Sequence, residues 1–208
     1  NPIESEGVYP LPEAQRDRFL MKIVVGYPTA EEEREIVYRM GVDRPTAERV
    51  LAPDDLLRLQ GAADRVFVHS ALVDYAVRLV LTTRDPRAFG LPDLAPLVSY
   101  GASPRASLGI VAAARALALM RGRDYALPQD ITDVAPDVLK HRLVLSYDAL
   151  ADGIPAEQIA QRVLAAVPVP QVSPRQSADR RDRGTPGPRP VPLPQPGRPV
   201  DRPHERPA

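Results

Sequence analysis

The sequence predicts a mainly α-helical fold with one short strand near its start and a disordered tail at its end. Apolar residues recur with a helical period of about 3.6 between residues 29 and 166. Only residues 20–25 and 66–68 have the apolar, β-branched runs that are typical of strands. From residue 168 onward the sequence is rich in Pro, Arg, Gly and Gln, which bury too little apolar surface to fold.

The first predicted helix covers residues 29–40. Thr29 is its expected N-cap, Glu32 completes a capping box, and Gly41 ends the helix. A second helix is expected to begin at residue 53, where Pro-Asp-Asp precedes an apolar face. That face carries Leu56, Leu59 and Ala63.

The predicted core lies on the helices that follow. One is amphipathic around residues 72–80, and the next begins with Ser103 as N-cap and Pro104 at the first helical position. Another begins at Asp130, and a last helix spans about 156–166. The residues expected to face inward are Leu72, Tyr75, Ala76, Leu79, Val80, Ile110, Ala113, Ala114, Leu117, Ala118, Ile131, Val134, Ala135, Val138 and Leu139.

Composition excludes several classes of function. The chain has no cysteine, which rules out disulfides, thiolate metal sites and a cysteine nucleophile and fits a cytoplasmic location. Its formal net charge is zero, so no global field favours nucleic acid or a membrane surface, and the apolar runs are too short to span a bilayer. The histidines His69, His141 and His204 lack metal-ligand spacing, and we expect the first two to lie at helix ends.

A dense, ordered series of short motifs occupies the first part of the chain. It consists of Asn-Pro at 1–2, Glu-Gly at 6–7, Tyr-Pro at 9–10, Leu-Pro-Glu-Ala at 11–14, Asp-Arg-Phe at 17–19 and Gly-Tyr-Pro at 26–28. This series resembles the MoxR family of AAA+ ATPases. The stretch Tyr-Gly-Ala-Ser-Pro-Arg-Ala at 100–106 resembles the lid of the same family. The resemblance covers about residues 1–167.

The resemblance implies a specific organisation. Residues 1–27 would be the end of an α/β P-loop nucleotide-binding core, comprising its last helix and strand. Residues 28–167 would be the helical AAA+ lid, and residues 168–208 remain a Pro/Arg-rich disordered tail. Because a single strand without a partner is unstable and the chain begins with Asn1, we expect it to be part of a longer protein.

The resemblance also implies three site residues. Asn1 takes the sensor-1 position, which orients the attacking water near the γ-phosphate. Arg18 takes the position of an arginine finger, which acts in the nucleotide site of the neighbouring subunit. Arg105 takes the sensor-2 position, where a lid arginine contacts the nucleotide of its own subunit. These residue types suit phosphoryl transfer, because arginine offers a permanent charge in a fork that fits phosphate oxygens.

Each of these residues has a simpler alternative. Arg18 could be a surface arginine that pairs with Asp17, and Arg105 could be an ordinary arginine at a helix start. Asn1 could be a disordered terminus. The phosphate-binding loop Gly-x-x-x-x-Gly-Lys-Ser/Thr and an Mg²⁺-binding acidic motif are absent from the sequence. ATP and Mg²⁺ would therefore be bound mainly by an N-terminal core outside this chain, and these residues alone would be inactive.

The expected function is chaperone-like, ATP-driven remodelling or metal insertion by a ring, expected as a hexamer. By resemblance, a protein with a von Willebrand factor A domain is the expected partner, and we expect no membrane or nucleic-acid partner. One alternative is a magnesium-chelatase-like motor subunit. Another is a non-enzymatic helical adaptor whose proline-rich tail serves as a docking arm.

Overall fold

The computed structural model describes residues 11–42 and 44–172, so Asn1 and the predicted tail after residue 172 lie outside the described residues. Within these ranges the chain is mainly helical, as predicted. Short 3₁₀ turns at Arg87–Phe89 and Ala95–Leu97 lie between α4 and β1. The elements are α1 (Glu13–Arg16), α2 (Ala30–Val42), α3 (Pro53–Asp64), α4 (Ser70–Arg84), β1 (Val98–Tyr100), α5 (Pro104–Met120), α6 (Pro128–Leu139), β2 (Val144–Leu145), α7 (Tyr147–Ala151) and α8 (Ala156–Ala166).

The core lies among α4, α5, α6 and α8, which pack against one another. The apolar positions predicted to face inward on α4, α5 and α6 are buried, except Leu117, which is half-buried. Tyr75, Leu72, Leu79, Ile110 and Ile131 are among the largest side chains with no exposed surface. Continuous burial of this kind is the main stabilising term of a helical bundle.

The starts of α2 and α4 follow the predicted chemistry. In α2 the N–H of Thr29 donates to Oε2 of Glu32 at 2.7 Å and the N–H of Glu32 donates to Oγ1 of Thr29 at 3.3 Å, which completes the capping box. His69 caps α4, because its Nδ1 accepts from the N–H of Ala71 at 3.1 Å. α6 begins at Pro128 rather than at Asp130, whose carboxylate instead accepts from the N–H at the N-cap.

The strand predicted at residues 20–25 is wrong for the described structure. A strand needs a neighbouring strand to take its hydrogen bonds, and here the N–H of Lys22 donates to the carbonyl of Asp137 on α6 at 3.0 Å. The strand predicted at 66–68 is reduced to one parallel bridge between Phe67 and Tyr125. The antiparallel pair of β1 and β2 and the five-residue helix α7 were not predicted.

α2 and α3 differ from the core helices in their exposure. The described side chains of α2 are all exposed, including Ile36, Val37 and Tyr38. In α3 the predicted inner face stays half-exposed, with Leu56 at 53% and Leu59 at 46%. No described helix is long and apolar enough to cross a membrane.

Candidate functional site

The turn before α5 is fixed by the end of α4. A Cβ atom at Gly101 would lie 2.4 Å from the carbonyl oxygen of Thr83, so only glycine fits this close backbone contact. The N–H of Ala102 donates to Oγ1 of Thr83 at 2.9 Å, and Nε of Arg84 donates to the carbonyl of Ala102 at 2.7 Å. This packing sets the point at which α5 begins.

Ser103 caps α5 and holds a carboxylate at the same time. Its Oγ accepts from the N–H of Arg105 at 3.2 Å and lies 2.9 Å from both carboxylate oxygens of Asp17. Pro104 takes the first helical position, which needs no N–H donor. Arg105 is therefore in the first turn, where the free N–H groups and the helix dipole favour an anion.

Asp17 joins the start of α5 to the segment that follows α1. Nη1 of Arg105 lies 3.0 Å from its Oδ2, and Nε of Arg142 lies 3.2 Å from its Oδ1. Burial acts to raise the pKa of Asp17, but the hydrogen bonds from Ser103 and Arg105 and the charge of Arg142 outweigh it and hold the pKa below its ordinary value. Asp17 is therefore ionised at neutral pH.

Arg142 lies just after α6, and its side chain is only 3% exposed. Nη2 donates to the carbonyls of Asp17 at 3.2 Å and Phe19 at 2.5 Å, and Nη1 donates to those of Leu20 at 3.0 Å and Val138 at 2.6 Å. Burial lowers the pKa of Arg142, while Asp17 raises it. Arginine still keeps its charge at neutral pH.

His141 supports the contacts of Arg142 with the segment of residues 17–20. Its Nδ1 lies 3.3 Å from the carbonyl of Asp137, and its Nε2 lies 3.1 Å from the carbonyl of Phe19 and 2.9 Å from Nη1 of Arg142. Nδ1 can donate to the Asp137 carbonyl, and Nε2 can either donate to the Phe19 carbonyl or accept from Arg142, so His141 joins α6 to both Phe19 and Arg142. Burial lowers the pKa of His141 and the charge of Arg142 lowers it further, against the opposing effect of the Phe19 carbonyl.

Arg18 lies between the two anchored carbonyls of Asp17 and Phe19. Its own N–H donates to the carbonyl of Gln15 at 3.2 Å, and its side chain is exposed and forms no ion pair within the part of the chain that the structure describes. An exposed guanidinium on an anchored backbone is available to bind an external anion. Residues 11–42 and 44–172 contain no group of acidic and histidine side chains that could hold a metal ion.

The structure brings two of the three predicted site residues into one region. Arg18 directly follows Asp17, and Asp17 binds Arg105, whereas Asn1 lies outside the described residues. Asp17 is therefore paired with Arg105 and not with Arg18. The roles of Ser103 towards Asp17 and of Arg142 were missed, because a buried arginine after a helix has the same sequence signature as a solvated one.

Comparison with known proteins identifies the family to which this chain belongs. The AAA lid domain family matches residues 93–163, a range that includes Ser103, Arg105 and Arg142. The chain is 65% identical over 173 residues to Chaperone MoxR1 of Mycobacterium tuberculosis, covering 83% of this chain and 46% of that protein. This chain belongs to the MoxR-type AAA+ ATPases.

A second curated relative and a solved structure are also similar to this chain. Protein MoxR of Paracoccus denitrificans is 35% identical over 185 residues, covering 82% of this chain and 54% of the relative. The crystal structure of a candidate ATPase from Cytophaga hutchinsonii superposes with a TM-score of 0.78 at 39% identity, covering 82% of this chain and 52% of that one. The chain spans about half the length of the curated relatives it matches.

Proposed function

We propose that this MoxR-type chain forms the lid and the trans-acting side of an ATP-hydrolysing, chaperone-like remodelling machine. The observation that carries the proposal is the contact of Asp17 with Arg105, which places one exposed arginine beside a helix N-terminus and a second at the next residue after Asp17. Two exposed guanidinium groups at different positions could each contact a different phosphate group.

Arg105 is the proposed sensor-2 residue. Its side chain is 58% exposed, and it belongs to the first turn of α5, where an anion is favoured. A phosphate oxygen would bind the same guanidinium that Asp17 binds now. This role would act on the nucleotide of the same subunit.

Arg18 is the proposed arginine finger. Its exposed side chain has no partner among the described ion pairs, and its backbone is anchored on both sides. Such a residue can reach a neighbouring subunit without first breaking an internal salt bridge. A finger stabilises the charge that develops on the transferring phosphoryl group.

The remaining parts of the proposal rest on family membership. We infer a ring, expected as a hexamer, with ATP and Mg²⁺ held mainly by a nucleotide-binding core, and Asn1 as its sensor 1. The proposed organisation is the end of that core at 1–27, the lid at 28–167 and the tail at 168–208, in a cytoplasmic protein. We propose metal insertion as the activity of the ring, and a protein with a von Willebrand factor A domain as its partner.

The test uses the complete natural polypeptide that contains these residues, assembled and supplied with ATP and Mg²⁺. Arg18→Ala should lower turnover by about 10³-fold, because a finger stabilises the transition state, and should leave ATP affinity unchanged. Arg87→Ala is the matched control, because Arg87 is an exposed arginine in a 3₁₀ turn. Wild-type turnover in assembled Arg18→Ala rings would refute the finger, and an absence of ATP binding by the wild type would refute the ATPase.

A second arm tests action in trans. Arg18→Ala subunits are mixed with subunits that keep Arg18 but carry an inactivating substitution in the phosphate-binding loop of the proposed core, so that each kind of subunit is inactive by itself. If the finger serves the neighbour's site, a loop-variant subunit supplies Arg18 to the intact site of an Arg18→Ala subunit, and the mixture turns over ATP. Mixtures as inactive as either variant alone would contradict the proposed role.

A further inference from the structure

We propose that Arg142 is the positioning residue of Arg18: from the end of α6 it fixes the backbone on both sides of the proposed finger, so that the finger moves with the lid. The proposal rests on the proposed function of Arg18. It adds a residue that acts through another rather than by touching the nucleotide.

Arg142 contacts the backbone on both sides of Arg18. Nη2 of Arg142 donates to the carbonyl of Asp17, immediately before Arg18, and to the carbonyl of Phe19, immediately after it. Nη1 donates to the carbonyl of Leu20 at 3.0 Å. One guanidinium group therefore holds the backbone of residues 17–20 in position.

The grip requires arginine. A planar fork with five N–H groups can reach carbonyls that point from different directions, whereas the ammonium of lysine presents its donors at a single point. The Arg142 side chain is 3% exposed, so its charge needs a counter-ion, and Oδ1 of Asp17 lies 3.2 Å from its Nε. The same carboxylate thus neutralises the residue that holds the Arg18 segment.

The anchor is rigid because it belongs to the core. Nη1 of Arg142 also donates to the carbonyl of Val138 at 2.6 Å, and the Val138 and Leu139 side chains have no exposed surface. A second attachment lies three residues beyond Phe19, where the N–H of Lys22 donates to the carbonyl of Asp137 at 3.0 Å. The segment is therefore fastened to the end of α6 at two places.

This arrangement explains how an exposed, unpaired side chain can act with accuracy. The Arg18 side chain has no ion pair of its own in the described structure, so its backbone must supply the positioning. A displacement of about 1 Å at a group that acts on the reacting phosphoryl can cost about 100-fold in rate. A change at Arg142 should therefore reach the neighbouring site through Arg18 alone.

The experiment is a double-mutant cycle on the complete natural polypeptide in its assembled state. Arg142→Lys keeps the charge and loses the fork, and should lower kcat about tenfold or more with KM for ATP unchanged. In the Arg18→Ala background the same substitution should have no further effect on kcat. An equal loss of kcat in both backgrounds, or a KM effect alone, would overturn the proposal.

The controls separate the two proposals. Arg123→Lys alters a buried ion pair at the other end of α6 without touching residues 17–20, so its kcat should stay at the wild-type value. If Arg18→Ala itself leaves kcat unchanged, the proposed function fails. If Arg18→Ala lowers kcat and a folded Arg142→Lys does not, only the positioning role fails.

A second variant keeps the test decisive if Arg142→Lys fails to fold. Asp17→Asn keeps the shape of the carboxylate and removes the counter-charge, which loosens the grip without leaving the carbonyls of 17–20 unpaired. It should give a smaller loss of kcat that also vanishes in the Arg18→Ala background, together with faster hydrogen exchange at the amide of Lys22. Wild-type kcat and exchange in Asp17→Asn would overturn the proposal.

Discussion

Nη1 of Arg105 lies 3.0 Å from Oδ2 of Asp17, although the two residues are 88 positions apart in the chain. The contact links the first turn of α5 to the residue before Arg18. A phosphate group and the Asp17 carboxylate are both oxyanions, so a phosphate bound in the proposed site would compete with Asp17 for this guanidinium. Ser103 and Arg142 would still hold Asp17 when Arg105 turns to a phosphate.

Arg105→Ala should weaken ATP binding by about tenfold in the complete natural polypeptide, the loss expected for one charge-assisted hydrogen bond. The dissociation constant is measured by calorimetric titration with a slowly hydrolysed ATP analogue. Arg105→Lys should recover part of the affinity, because it restores the charge without the fork. An unchanged dissociation constant in Arg105→Ala would remove this residue from the nucleotide site.

Gly101→Ala should lower the free energy of unfolding by about 1–3 kcal/mol, the usual cost of overpacking. The added Cβ would meet backbone atoms of Thr83 and Arg84, which cannot turn away as a side chain can. Gly61→Ala in α3 is the matched control, because its nearest contact would be Nη1 of Arg65 at 3.6 Å. The control should stabilise the protein by about 0.5–1 kcal/mol. Urea unfolding measures both, and equal midpoints would contradict the packing argument.

Asp130→Asn should destabilise the protein by about 3 kcal/mol, because it removes the counter-charge of two arginines from a site with no exposure. Arg123 contacts both carboxylate oxygens, at 2.7 and 2.6 Å, and Arg121 adds a contact at 2.8 Å. Asp133→Asn is the control; its side chain is 29% exposed, and its loss should cost about 1 kcal/mol or less. Similar losses in the two variants would contradict this assignment.

The difference in unfolding free energy between the wild type and Asp130→Asn should depend on pH through the pKa of Asp130. Burial acts to raise this pKa, but Arg123, the N–H of Leu127 and Arg121 outweigh it and hold the pKa below 3.8. The stabilisation is therefore fully present above pH 3.8 and is lost as the pH falls through the lower pKa of the folded state. The difference in unfolding free energy between the wild type and Asp130→Asn should become smaller only in that acidic range.

His141 should make the folded state less stable as the pH falls below 6.5. Burial and the charge of Arg142 lower its pKa in the folded state, so the unfolded state binds more protons below 6.5. Stability is therefore highest above 6.5 and declines until the pH passes the folded-state pKa. In His141→Gln the change in unfolding free energy between pH 7.5 and 5.5, about one unit either side of an ordinary histidine pKa, should be smaller. An identical change in both proteins would contradict this account.

The core helices could be predicted from the sequence because each repeats its apolar positions over three or more turns. The segment 20–25 could not, because a β-branched run reports compatibility with a sheet surface and not whether a neighbouring strand exists. β1, β2 and α7 contain only three, two and five residues, which are too few for a repeated apolar pattern to be recognised. Arg18 and Arg105 were predicted from family resemblance, whereas the contact of Arg142 with Asp17 spans 125 positions and depends on tertiary packing.

The grip of Arg142 on residues 17–20 has a practical consequence for producing the lid as a separate unit. A truncated polypeptide starting at residue 28 would lack those carbonyls and the Asp17 carboxylate. Its Arg142 guanidinium would lose its counter-ion and would be exposed to water on the side that residues 17–20 now cover, so the contacts that join this segment to the end of α6 would be lost. An expression boundary placed before α1, rather than at the junction with the lid helices, should give the soluble unit for crystallography or nuclear magnetic resonance.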